Sequence, residues 1–101
     1  MSSEKKRFYK LSLDAALDME EIFDYSIEEF GAKQAHDYAS KMHTLFLKLT
    51  EQPEIGRKRN EIKIGLRSLP IGEHIVFYRI LNDKIRILRI LHGSRDIPNY
   101  F

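Results

Sequence analysis

The sequence predicts an α+β fold: an N-terminal strand, then an antiparallel helical hairpin packed on a mainly antiparallel sheet, in the order β-α-α-β-β-β. Three observations predict it. Two long stretches carry apolar residues every three or four positions, the period of a helix with one buried face. Gly31 alone separates them, so the second must fold back on the first. The C-terminal part alternates short apolar runs with tight turns, and strands joined so briefly can only be antiparallel.

Phe8-Tyr9-Lys10-Leu11 reads as a short strand. Ser12 then stands where a helix N-cap belongs, with Asp14 in the first turn to favour the helix dipole. The first helix runs from about Leu13 to Phe30 on a stripe of Ala16, Met19, Phe23, Ile27 and Phe30, and Gly31 stops it. The second runs from Ala32 to about Gln52 on Ala35, Tyr38, Met42, Leu45 and Leu49, and Pro53 closes it. Glu54 to Glu61 is a polar, basic loop around Gly56. Strands are expected at about Ile62 to Leu69, His74 to Leu81 and Lys84 to Leu91. Pro70-Ile71-Gly72-Glu73 and Asn82-Asp83 turn between them. The helices cover one face of this sheet. The other face is expected to stay open, populated by the basic residues of the strands.

Composition sets the class. The chain has 101 residues, 43% hydrophobic and 32% charged, which describes one globular domain spanning residues 1–101. Cysteine is absent, which removes disulfides and Cys-based metal sites. No apolar stretch approaches a membrane span. Met1 to Arg7 is basic with no apolar segment behind it, so no secretory signal is expected and a cytoplasmic location fits. The net charge of +2 hides a split. Residues 12–31 hold Asp14, Asp18, Glu20, Glu21, Asp24, Glu28 and Glu29 with no basic residue, whereas residues 57–95 are strongly basic. Either a nucleic acid or acidic protein is attracted to the basic part, or the two parts neutralise each other within the fold.

The run Ile85 to Asp96 is the most informative. It is an apolar strand carrying Arg86 and Arg89, and it leads into His92, Ser94, Arg95 and Asp96. Strand alternation places Arg89 with Ile85, Ile87 and Leu91, and Arg86 with Leu88 and Ile90. Each apolar face thus holds one arginine. For Arg89 the preferred reading is an ion pair to the acidic first helix. Arg79 and Arg89 sit on opposite arms of the Asn82-Asp83 hairpin and would repel if face to face. His36 and His43 are too far apart on their helix for one metal ion, and no metal or cofactor is called for.

Several of these pieces resemble the RelE/ParE superfamily of bacterial toxins. They are Phe30-Gly31 ahead of Gln34-Ala35, Leu49 through Pro53 with Gly56, and Gly65-Leu66-Arg67-Ser68. His74-Ile75-Val76-Phe77-Tyr78-Arg79 and Ile87-Leu88-Arg89-Ile90-Leu91-His92 with Asp96 complete the pattern, from about Tyr9 to Asp96. In the sequence G-x-R, then H-x-x-x-Y, then R-x-L-H-x-x-x-D, the chain is more similar to the ParE branch. That resemblance implies a cytoplasmic toxin that inhibits DNA gyrase by protein–protein binding, meeting DNA only indirectly, and a ParD-like antitoxin that wraps it. That mode of action requires no catalysis by the toxin. The RelE branch implies instead a ribosome-dependent mRNA endonuclease. In that branch a catalytic lysine usually stands where this chain has Gly65, and an arginine where it has Ile75.

On the ParE reading, Arg67, Arg79, Arg89, His92, Arg95, Asp96 and Tyr100 are the candidate contacts to target or antitoxin. For Arg67 the structural alternative is an ion pair to the first helix or Asp96. For His92 and Asp96 it is a loop-stabilising hydrogen bond. On the endonuclease reading, His92, Arg95 and Tyr100 are the catalytic candidates, with His92 the natural proton carrier near neutral pH.

Overall fold

The computed structural model describes residues 7–101; Met1 to Lys6, most of the basic N-terminal run, lies outside them. The elements are β1 (Phe8–Leu11), α1 (Leu13–Phe30), α2 (Ala32–Glu51), β2 (Arg57–Lys58), β3 (Arg67–Ile71), β4 (His74–Ile80) and β5 (Lys84–His92). Single 3-10 turns occupy Pro53–Ile55 and Ile97–Tyr100. The five strands form one sheet in the order β1-β5-β4-β3-β2. β1 runs parallel to β5, and every other pairing is antiparallel.

The helices begin and end where local chemistry directs. The Ser12 hydroxyl accepts from the Ala15 amide at 3.0 Å, capping α1, and donates to the Leu88 carbonyl at 2.8 Å, tying that cap to β5. Gly31 adopts φ 90°, a region other residues avoid. Its amide closes α1 on the Ile27 carbonyl and its carbonyl opens α2, so one residue makes the whole corner.

α2 packs as its stripe predicts: Ala35, Met42 and Leu49 are buried, Phe46 joins them, and Tyr38 and Leu45 are half-buried. α1 is rotated from its predicted stripe. Its buried positions are Ala15, Asp18 and Ser26, with Met19 and Ile22 half-buried, while Ile27 and Phe30 are exposed. Small and polar residues face inward because α1 approaches the edge of β5, where a carboxylate is bound.

The principal core lies between helices and sheet. It gathers Ala15, Met42, Phe46, Leu49, Val76, Tyr78, Ile85, Ile87 and Ile90. Burying each large side chain contributes on the order of 1.5–3 kcal/mol. Tyr78 is the deepest polar member. Its hydroxyl donates to the Pro53 carbonyl at 2.6 Å and accepts from the Gly56 amide at 2.8 Å, which fastens the end of α2 to β4. A side chain at position 56 would run into the Tyr78 ring.

The sheet departs from the sequence expectations in three places. The expected strand from Ile62 begins only at Arg67. Ile62 and Lys63 amides instead turn back to the Arg59 carbonyl, and the Gly65 amide is held by the Asn60 side chain. Pro70 and Ile71, expected in a turn, extend β3; the two-residue β2 ends short of Pro70, so its missing amide faces no strand. Second, the register slips by one residue where Phe77 faces Arg89 and Tyr78 faces Ile87, leaving Leu88 as a bulge. Ile90, not Leu91, therefore joins Ile85 and Ile87 in the main core. Third, the face away from the helices is not fully open. Leu66, Phe77, Leu91 and Ile97 form a second cluster there, with Tyr100 and Phe101 folded against it.

Candidate functional site

A groove of about 1400 Å³ opens at the far end of the sheet. It exists because β1 is short. β1 pairs with β5 only through Ile87, so Leu88 to His92 have no strand on that side. The groove walls are Ile22, Tyr25 and Phe30 of α1 and Tyr38 of α2. His74 and the last residues of β5 form its floor, and Ser94, Arg95 and Tyr100 line it from the C-terminal tail. Tyr25 and Phe30 are exposed within it. Charges of both signs surround them: Glu21, Asp37 and Glu73 against Lys33, Lys41 and Arg95.

Asp18 is the fixed point of the floor. Its Oδ2 accepts from Arg89 Nε at 2.8 Å and from the Ile90 amide at 2.9 Å, and its Oδ1 accepts from Arg89 Nη2 at 2.9 Å. The bidentate pair supplies geometry as well as charge. The same carboxylate replaces the missing strand as partner for Ile90. Hydrogen bonding to Asp18 pushes the Arg89 pKa upward, against burial that works to lower it. The Arg89 guanidinium also lies over the Tyr100 ring, 5.1 Å from its centroid, and Tyr100 accepts from Arg95 Nη1 at 3.2 Å.

A histidine–tyrosine cluster stands beside this pair. Tyr38 donates its one hydroxyl proton to the Ile71 carbonyl at 2.8 Å, so His74 Nδ1, also 2.8 Å away, must be the donor to that hydroxyl. Burial pulls the His74 pKa down, and the neighbouring His92 adds to that. The two imidazoles meet edge to face at 5.5 Å. His92 Nδ1 accepts from the Ser94 amide at 3.1 Å, and Nε2 points to Glu73 Oε1 at 3.4 Å.

Of the residues singled out from sequence, Arg89, His92, Arg95 and Tyr100 come together in this groove. Three others do not. Arg67 opens β3 and its side chain reaches the segment after α2, donating to the carbonyls of Glu54 (3.2 Å) and Gly56 (2.8 Å), so its structural partners are carbonyls and not a carboxylate. Arg79 faces Arg86 across the hairpin, not Arg89, and donates to the Ile64 carbonyl. Asp96 accepts from Asn99 at 2.6 Å, whereas His92 is bound by Ser94, so each makes a loop-stabilising hydrogen bond, with a different partner. The acidic helix does supply the partner for Arg89. Which of its acids would do so was not legible, because that depends on the register of β5. Tyr38 reads from sequence as plain core, and His74 gains a role only beside Tyr38 and His92. Among the described residues, no cluster of three or more metal-ligating acidic, His or Cys side chains occurs, and no helix is long and apolar enough to cross a membrane.

Residues 9–97 match the family model described as ParE toxin of type II toxin-antitoxin system, parDE. The chain is 35% identical over 88 residues to Toxin ParE1 of Caulobacter vibrioides, covering 87% of this chain and 91% of that one. It is 34% identical over 90 residues to Toxin ParE1 of Mycobacterium tuberculosis, covering 88% and 92%. Among solved structures, it superposes on a chain of a chromosomal ParDE system from P. aeruginosa with a TM-score of 0.74. That match has 22% identity and covers 86% of this chain and 96% of that one. A chain of the RelBE2 toxin–antitoxin complex from Mycobacterium tuberculosis gives a TM-score of 0.59 at 20% identity, covering 86% and 98%. These last two likenesses concern the fold.

Proposed function

This chain belongs to the ParE toxin family, and from that premise we propose that it acts by binding DNA gyrase and is held inactive by a ParD-like antitoxin. The observation that carries the reading is the family match, which runs through β1, both helices and the whole of β5. The groove supports it as the antitoxin's seat. Its apolar walls suit one face of an amphipathic helix, and the mixed charges around Tyr25 and Phe30 would fix that helix's register. Arg95 and Lys41 offer positions for antitoxin carboxylates, whereas Arg89 is already satisfied by Asp18. Gyrase inhibition by binding needs no catalytic set in the toxin.

The RelE-like endonuclease is the second reading, favoured by one observation: His92, Arg95 and Tyr100 share the groove. Against it, His92 Nδ1 is occupied by the Ser94 amide, and Gly65 and Ile75 leave two cationic positions unfilled. Phosphoryl chemistry relies on such cations to stabilise developing charge.

The test is plasmid supercoiling by purified gyrase as the antitoxin-free chain is titrated in. Supercoiling should fall, with linear DNA after detergent and protease treatment. Undiminished supercoiling at a large excess of the chain would remove the gyrase reading. Cleavage of mRNA on ribosomes, lost in His92→Ala and Tyr100→Phe, would then establish the endonuclease.

A further inference from the structure

The hairpin end of the sheet carries a second feature that the groove does not use. Lys10 faces Arg86 across β1 and β5, and Arg86 faces Arg79 across β5 and β4. Their sequence neighbours Tyr9, Leu11, Ile85, Ile87, Tyr78 and Ile80 all pack into the helix-side core, so alternation turns the three cations to the opposite face. Strands lie about 4.8 Å apart, which makes the row about 10 Å long. Like charges directly opposite one another destabilise a sheet. Yet among the described residues none of the three has a carboxylate at ion-pairing distance; Asp83 and Glu61, on the neighbouring turns, pair with Lys84 and Arg59. Arg79 is braced by the Ile64 carbonyl and lies against Gly65.

We propose that this face is a docking surface for the phosphate backbone of duplex DNA. DNA presents one phosphate charge per about 1.7 Å of axis, so a row of this length meets several at once. The surface suits a duplex better than a single strand, which needs free aromatic platforms for its bases. The Phe8 ring is exposed, with the Lys84 ammonium 5.7 Å from its centroid, but Phe77 is buried beneath Arg59 and Phe101, so among the described residues this face offers no run of free rings for successive bases. The contact is therefore to backbone and not sequence-specific.

The experiment is fluorescence anisotropy of a labelled short duplex with the full, antitoxin-free chain as salt rises from about 50 to 200 mM; three phosphate contacts give a log–log slope of about −3. Lys10→Gln should reduce that slope by about 1, and Lys10→Gln with Arg86→Gln by about 2, at every DNA sequence tried. Both variants must keep the circular dichroism of the parent; if the double variant does not, the single Lys10→Gln decides. Absence of binding at the lowest salt, or an unchanged slope in the variants, overturns the proposal. Equal displacement by polyglutamate at matched charge overturns it in favour of an acidic protein partner. No gyrase is present, so the result is independent of the gyrase reading.

Discussion

The two halves of β5 put the same residue type to opposite uses. In Lys84 to Ile87 the strand is paired on both edges, its alternation is regular, and Arg86 sits between two other cations. From Leu88 to His92 it has a strand on one edge only, it carries a bulge, and Arg89 is clasped by Asp18. Three positions separate the arginines. What separates their chemistry is where β1 stops. Up to Leu11 a strand satisfies the β5 edge; beyond it, Ser12, which caps α1, and Asp18 within α1 reach down to take the Leu88 carbonyl and the Ile90 amide. An arginine beside a helix carboxylate becomes part of the framework. An arginine between strands stays available.

The largest expected effect comes from breaking the clasp. Asp18→Ala removes the partner of a largely buried guanidinium and leaves the Ile90 amide unsatisfied. Side-chain exposures of 23% for Arg89 and 10% for Asp18 place the loss near the low end for a broken buried pair, about 3 kcal/mol. Urea unfolding measures it, and a midpoint equal to the parent's would mean that the Asp18–Arg89 pair adds no net stability.

A smaller effect concerns His74, which faces His92 at the far end of the same half. Burial and the His92 charge lower its pKa in the folded chain, with the Glu73 and Asp18 charges opposing them. The unfolded chain therefore binds a proton more readily than the folded one. The stability contributed by neutral His74 is complete above its unfolded pKa, roughly 6.5, and is lost as pH falls through the lowered folded value. Unfolding followed from neutral to mildly acidic pH should show that loss, and His74→Phe should flatten the slope across the window. An identical slope in parent and variant would assign the acid sensitivity elsewhere.

The smallest effect tests the paired half. Arg86→Thr relieves repulsion from Arg79 and Lys10 and places a good strand former on the sheet. The chain should gain up to about 0.5 kcal/mol. A clear loss in thermal unfolding would show that Arg86 has a structural partner after all, and the contrast between the two halves would fail.

How far these features were legible follows from the distance over which each is determined. The limits of α1 and α2, the corner at Gly31 and the α+β class rest on residues within a few positions of one another, through apolar period, Ser12 capping and glycine backbone freedom. The sequence by itself determined these. Its charge split also implied that an acidic residue of α1 would meet Arg89. Only the tertiary structure decided that Asp18 is that residue, 71 positions away, that Leu88 is a bulge, and that Arg67 is bound by carbonyls. Alternation predicts a strand's faces only while its register is unbroken, and a one-residue slip exchanges them. That slip at Leu88 places Ile90 in the core, and the early end of β1 leaves the edge for Asp18. Neither depends on the residues next to it in the chain, so neither leaves a local signal to read.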